Sequence, residues 1–320
     1  MIKKDIALKL KNPYLIAVWP GMGKVAFKIG SYLVEKLNAI AFARIEPQEY
    51  FYPMGVSAKD GLLKMAELPS STFYYYKNIK GKNDLIIFLS NAQPDLSKAS
   101  IYCQRILDIL KNFGIKMVFT FAAMPFPIDH TQVPGVWAVA TNVEFLQQLK
   151  KYNVKIMAEG QVSGLNGLFL GLAKEKGFKG VCLLGEIPIY TIQIENPKSS
   201  LAILEVVSKI IGIDIDKKDL EEEARHIEDE VDKLIDYLKV SGQAEPIGED
   251  EIERLKKSLS QYTKLPPSVK EKIEKLFERA KNDLSQANEL KQELDNWNIY
   301  KEYEDRFLDL FKRPKDRENQ

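Results

Sequence analysis

Apolar residues over the first two thirds of the chain alternate between short unbroken runs and helical spacings. Tyr14-Leu-Ile-Ala-Val-Trp19, between Pro13 and Pro20, reads as a strand buried on both faces. After Pro20-Gly-Met-Gly23, the positions Val25, Phe27, Ile29, Leu33, Val34 and Leu37 recur at helical intervals. Further strands are expected over Ala41–Ile45, Thr72–Tyr76 and Asp84–Ser90. Ile101, Ile106, Ile109, Leu110 and Phe113 outline a helix that Gly114 closes. Strands at Ile115–Phe121 and Gly135–Ala140 follow, then a helix Val143–Tyr152 that Asn142 caps. A small-residue helix Gly164–Lys176, a strand Gly180–Leu184 and a helix Ser199–Ile211 complete the series. Strands separated by helical segments imply βαβ crossovers, so the expected body is a three-layer α/β fold around a mostly parallel sheet with helices on both faces. Ligands in such folds bind beyond the carboxyl ends of the strands. That places Pro20–Lys24, Asn91–Pro94, Ala122–Gln132 and Gly185–Tyr190 on one rim.

The pattern changes after Asp214. Leu220, Ala224, Ile227, Val231, Leu234 and Leu238 step by three or four residues through densely charged sequence, which predicts a helix with one apolar seam. Ile252, Leu255 and Leu259 form a weaker pattern. Beyond Pro266-Pro267, Ser268 and Glu271 have the spacing of a capping box, and Val269 to Trp297 keep helical periodicity. A helical hairpin packing on itself or on the body accounts for this pattern. So does an arm whose seam, Leu220, Ile227, Val231, Leu234 and Leu238, meets a partner.

Charge sharpens the boundary. The 320 residues carry 46 basic and 45 acidic side chains, a net charge of +1. Residues 1–215 hold 25 basic and 17 acidic ones, whereas residues 216–320 hold 21 and 28. The near-zero sum is therefore a cancellation between a basic body and an acidic extension, read as domains 1–215 and 216–320. It gives no whole-chain case for nucleic acid. No apolar run reaches the length of a membrane span, and Met1–Lys11 has no signal-peptide core, so a cytoplasmic protein is expected. Cys103 and Cys182 are isolated, and with only His130 and His226 beside them no zinc cage or disulfide framework is expected.

Candidate chemistry is sparse. Gly21-Met-Gly23-Lys-Val-Ala26 matches the form of a dinucleotide fingerprint, with Glu46 as a ribose-binding acid, but first of all suits a tight strand-to-helix turn with no phosphate; a site for some other small ligand is the third reading. Lys24 is followed by Val25, which excludes a Walker A loop. Asp129-His130 could form a general base but has no recognisable nucleophile to serve. Gly164, Gly167 and Gly171 suggest either close helix packing or a ligand at the helix start. Glu186, after the last strand, and Asn91 and Gln93, after an earlier one, stand where binding groups would. The candidate rim pocket is thus Gly21, Gly23, Asn91, Gln93, Gly164, Asn166 and Glu186. No catalytic residue, metal or cofactor is assigned.

Five motifs in order carry a family resemblance. They are Trp19-Pro-Gly-Met-Gly23, Glu46-Pro47 with Phe51-Tyr52, Ser90-Asn-Ala-Gln-Pro94, Gly164-Leu-Asn-Gly-Leu168 and Leu184-Gly-Glu-Ile-Pro-Ile-Tyr190. Over about residues 12–214 the chain resembles the archaeal and bacterial branch of the proteasome assembly chaperone family, and the acidic extension is similar to that of its longer bacterial members. The resemblance implies a nucleoside-phosphorylase-like α/β domain, a homo-oligomer with a trimer favoured, and a protein client. Several members dock through a C-terminal hydrophobic–Tyr–X tail, a pattern that Arg317-Glu-Asn-Gln320 does not show. The expected function is a non-enzymatic assembly or interaction protein. The alternative is an enzyme or sensor that takes a nucleoside-like or acidic small molecule at the rim.

Overall fold

The computed structural model describes residues 8–52, 55–59, 61–65, 67–241, 267–296 and 300–311. Ten strands are described: β1 Tyr14–Val18, β2 Ile40–Ile45, β3 Val56–Lys59, β4 Leu62–Met65, β5 Ser71–Tyr76, β6 Leu85–Ser90, β7 Met117–Phe126, β8 Val136–Ala140, β9 Lys155–Ile156 and β10 Gly180–Pro188. Eight of them form one sheet in the order β2-β5-β6-β1-β7-β10-β8-β9, and β3 and β4 form a separate pair. β1 runs parallel to β6 and β7. Backbone bonds from Tyr14 to Asp84, from Lys116 to Pro13 and from Val118 to Lys179, each 2.9 Å, bring the starts of β6, β1, β7 and β10 to one edge. The carboxyl ends of these strands therefore lie along the opposite edge. The flanks are antiparallel: β2 with β5, β5 with β6, and β10 with β8. The parallel reading holds at the centre of a mixed sheet.

Helices cover both faces. α1 (Val25–Lys36) and α5 (Pro197–Ile211) share one face; α2 (Ala99–Leu110) and α4 (Gly164–Glu175) share the other. Under α2 and α4, Trp19 packs with Phe88 and Phe169 at ring-centroid distances of 5.4 and 5.2 Å. The caps act as the residue types dictate. Asn142 accepts from the Phe145 amide at 2.8 Å to open α3 (Val143–Leu149). Asn196 accepts from the Ser199 amide at 3.2 Å to open α5, with Pro197 at its first position and Gly212 in the left-handed region after its end. Gly114 (φ 64°) likewise stops the α2 segment.

The chain divides into two compact units, one of Met1–Met124, His130–Ile187 and Ile194–Glu228, the other of Pro125–Asp129, Pro188–Gln193 and Asp229–Gln320. The first turns of α6 (Lys218–Ser241) belong to the first unit. Leu220 is fully buried there and Ala224 nearly so. Around them Lys28 meets Glu223 at 2.5 Å, Lys198 meets Glu228 at 2.6 Å, Lys36 pairs with Asp219, and the Tyr32 hydroxyl donates to the Asp216 carbonyl at 2.8 Å. Partly exposed ion pairs contribute up to about 1 kcal/mol each, against roughly 1.5–3 kcal/mol for fully burying a leucine. Apolar burial therefore anchors the helix, and the pairs set its register. Farther along α6, Val231 and Ile235 are buried, Ile227 is half-buried and Leu234 is 38% exposed. The side chain of Leu238 lies outside the described residues. Leu220 and Val231 are thus buried within the chain itself.

In the second unit, α7 (Pro267–Asn282), α8 (Ala287–Asn296) and α9 (Tyr300–Leu308) enclose a small core of Ile273, Leu276, Phe277, Ala280, Ala287, Leu290, Leu294, Phe307 and Leu310. Arg306 grips Glu274 through two bonds of 2.6 and 2.5 Å while lying 4.1 Å from the Phe277 ring centre. A turn at Asp283–Gln286 breaks the expected continuous helix and leaves Leu284 half-exposed. α7 already includes Pro267, so Ser268 stands in its first turn and not at its cap. The pattern around Ile252, Leu255 and Leu259, and Trp297, lie outside the described residues. Among the described residues no helix is long and apolar enough to cross a membrane.

Replacing Leu220 by Ala should lower unfolding stability by about 2–5 kcal/mol in urea denaturation. A change within about 0.5 kcal/mol would place the start of α6 off the body.

Candidate functional site

The carboxyl end of β1 is held by side chains from two other segments. The Trp19 amide donates to Asn166 Oδ1 at 3.2 Å, and Asn166 Nδ2 lies 3.5 Å from the Trp19 carbonyl oxygen. Asn166 is buried, held there by the first turn of α4. Gln93 Nε2 donates to the Pro20 carbonyl oxygen at 2.6 Å. The turn that follows needs glycine at one of its two candidate positions. Gly23 has φ 58°, and a Cβ there would stand 3.1 Å from Asn196 Cβ, while its carbonyl accepts from the Asn196 amide at 2.9 Å. Gly21 is extended and faces Asn166 Nδ2. Gly21, Gly23, Gln93 and Asn166 are thus gathered at the end of β1. Asn91 is tied elsewhere, its Oδ1 accepting from the Ser70 amide at 2.8 Å. Gly164 opens α4 at φ 77°, with open space for 4 Å around the point where a Cβ would stand. Of the glycines in α4, Gly167 is the tight one, since a Cβ there would lie 2.0 Å from the Val162 carbonyl oxygen, and Gly171 faces open space. The three do not form one packing stripe.

Glu186 belongs to a separate group at the end of β10. It is 3% exposed. Oε2 accepts from the Gly135 amide at 2.7 Å, and Oε1 accepts from Trp137 Nε1 at 2.7 Å and from Lys155 Nζ at 3.0 Å. Lys155 also lies 5.1 Å from the centre of the Trp137 ring. Burial alone would push the carboxyl up, but the bonds from Trp137, Gly135 and Lys155 outweigh it and hold the pKa below the ordinary value. Gly135 cannot be another residue without displacing this carboxylate, since a Cβ would sit 2.8 Å from Glu186 Cδ. Glu186 therefore locks the start of β8 to the end of β10 as an ionised acceptor, a poor state for a proton donor. Gly135, Trp137 and Lys155 are not adjacent to Glu186 in sequence; the antiparallel pairing of β8 with β10 brings in the first two, and the parallel pairing of β9 with β8 adds Lys155.

The dinucleotide reading fails on topology. A ribose-binding acid stands on the strand next to β1, whereas β5 and β6 separate β2 from β1, roughly 14 Å at ordinary strand spacing. Beside the first turn of α1, where a phosphate would approach, Glu195 already pairs with Lys24 at 2.5 Å and Lys28 at 3.4 Å. Cys103 and Cys182 are buried, and burial pushes both thiols up to about 12, so neither is a thiolate at neutral pH. The His130 carbonyl accepts from Lys198 Nζ at 3.0 Å. Among the described residues no three His, Cys, Asp or Glu side chains converge as a metal site.

Known proteins of one family share a mixed α/β body of this kind. The PAC2 family model matches residues 15–235, and the chain belongs to the PAC2 family, the family of the proteasome assembly chaperones. An uncharacterized protein of Methanocaldococcus jannaschii is 29% identical over 255 residues, covering 78% of this chain and 94% of that protein. Among solved structures, Pyrococcus furiosus PbaB, an archaeal proteasome activator, is 27% identical with a TM-score of 0.62, covering 72% of this chain and 96% of PbaB. Pyrococcus furiosus PbaA, an archaeal homolog of proteasome-assembly chaperone, shares the fold at 21% identity and a TM-score of 0.57, covering 80% of this chain and 97% of PbaA.

Glu186→Ala should cost about 2–4 kcal/mol at pH 7, because the half-buried Gly135 amide and Trp137 Nε1 lose their acceptor. A carboxyl with a lowered native pKa stabilises above its unfolded value, about 4.3, and that contribution disappears as pH falls through the native value. The gap between wild type and variant should therefore narrow as pH falls below about 4.3. A constant gap down to pH 3 would contradict the ionised anchor.

Proposed function

We propose that the chain is a non-enzymatic assembly or interaction protein that acts on a protein client as a homo-oligomer. The observation that carries this reading is the family match over residues 15–235, extending to near-complete coverage of a proteasome activator. The rim supports it. Asn91, Gln93, Asn166 and Glu186 each hold backbone or side-chain partners of the chain's own fold. An enzyme or sensor would instead aim such groups at a ligand.

Proteasome α subunits are the first client class to test, because PbaB is an activator of the archaeal proteasome. Mixed with α subunits of its source organism in sedimentation velocity, the chain should co-migrate with them or change their assembly state. Independent sedimentation of both at about 10 µM would sink proteasome subunits as clients. The small-molecule alternative predicts thermal stabilisation by a nucleoside, nucleotide or small acid. A ligand at one hundred times its Kd adds about 2.7 kcal/mol. The chaperone-like reading predicts no shift across such a panel, and one clear hit would overturn it in favour of the alternative.

A further inference from the structure

Five exposed lysines gather along the edge of the sheet opposite the rim. The loop between β5 and β6 is fastened there to the segment that enters β1. Asp84 is buried; its Oδ1 accepts from the Asn78 amide at 2.9 Å and its Oδ2 from the Lys11 amide at 2.6 Å. Asn83 Nδ2 donates to the Asn12 carbonyl at 2.8 Å, and the Gly81 amide donates to the Asn78 carbonyl at 3.2 Å. These bonds set the loop of Lys77, Lys80 and Lys82 beside Lys11, whose Nζ lies 3.4 Å from the Gly81 carbonyl oxygen. The Lys116 amide donates to the Pro13 carbonyl at 2.9 Å, which adds the fifth lysine. Elsewhere on the body lysines meet carboxylates, as Lys24 meets Glu195, Lys28 meets Glu223 and Lys176 meets Asp108. The five edge lysines form no such pair among the described residues. Within residues 9–13, 77–84 and 115–117 the one acid is Asp84, and both its oxygens are engaged by amides. Like charges held close without counter-charges repel one another, and an acidic partner removes that repulsion. Amid the lysines of the loop, Ile79 is 93% exposed, and its amide donates to the Lys77 carbonyl at 3.1 Å. The loop thus holds one apolar side chain out between basic ones.

We propose that this edge docks an acidic segment of a protein partner, with the lysines on its carboxylates and Ile79 against an apolar residue within it. Two features favour a polypeptide over a nucleic acid. The basic groups are all lysines, since no arginine stands in residues 9–13, 77–84 or 115–117, and the forked guanidinium is the group best suited to phosphate. The apolar group is an aliphatic side chain and offers no ring on which a base would stack. The inference rests on the reading of the chain as an interaction protein, and adds to it the chemistry of the partner and the place where it docks.

Fluorescence anisotropy of the full chain tests it, with a fluorescein-labelled peptide of glutamates around a single leucine as the probe. Wild type should bind this peptide at low ionic strength. Binding should weaken at least about tenfold in roughly 0.5 M salt, where the screening length falls to about 4 Å. Lys80→Glu combined with Lys82→Glu should weaken it at least about tenfold. Ile79→Ser should weaken the leucine peptide about threefold or more and leave an all-glutamate peptide unchanged. Arg44→Glu combined with Lys98→Glu makes the same change of charge at the rim side of the sheet, and should alter binding less than about twofold. Circular dichroism should show every variant folded, because none of these side chains is in the core. Wild type that binds no peptide, or Lys80→Glu with Lys82→Glu that binds like wild type, would overturn the proposal. So would a single-stranded oligonucleotide of equal charge that binds more tightly through the same lysines. A chain that co-migrates with α subunits but binds no acidic peptide would sink this docking edge and leave the client role standing.

Discussion

Four central strands leave one edge of the sheet in step, because backbone bonds tie the starts of β6, β1, β7 and β10 together across Asp84, Tyr14, Pro13, Lys116, Val118 and Lys179. Everything at the opposite edge follows from that alignment. Once the strand ends are level, the segments after β1 and β6 meet. Gln93 can then reach the Pro20 carbonyl and Asn166 can bracket Trp19. β8 returns antiparallel against β10, which puts Gly135 and Trp137 beside Glu186. In many α/β enzymes this rim is open to a ligand. Here the buried Asn166 and Glu186, and the exposed Gln93, hydrogen-bond to the chain's own backbone and side chains.

The same economy explains the charge distribution. A net charge of +1 conceals a basic body and an acidic extension. Part of that complementarity is resolved within the chain, where Lys28, Lys36 and Lys198 meet the acidic first turns of α6 around the buried Leu220. The ion pairs are partly exposed and individually weak, so they orient a helix that apolar burial holds. The later helices enclose their own core around Phe277 and Leu290, with Arg306 across it.

How legible all this was depended on the range of the interactions. β6 and β10 are continuous apolar runs, and Asn142, Pro197, Gly114 and Gly212 punctuate helices through local chemistry, so sequence alone placed them. The rim candidates were found for the same reason: a polar residue just past a buried strand needs only the strand to be recognised. Their roles were not visible. Asn166 meets Trp19 across 147 residues and Glu186 meets Trp137 across 49, and no local pattern records either pairing. The antiparallel flanks of the sheet are equally non-local. The β3–β4 hairpin was missed for a different reason, since Val-Ser-Ala-Lys and Leu-Leu-Lys-Met alternate weakly. The Asp60-Gly61 dipeptide between them is the turn signal that would have found it.

Polar side chains at the rim thus hydrogen-bond within the fold. Urea denaturation of Asn166→Ala tests that claim most directly. Removal of the side chain leaves the fully buried Trp19 amide without an acceptor, so a loss of about 1–3 kcal/mol in stability is expected with no ligand present. A variant as stable as wild type, within about 0.5 kcal/mol, would contradict it and show that Asn166 is kept for something outside the fold.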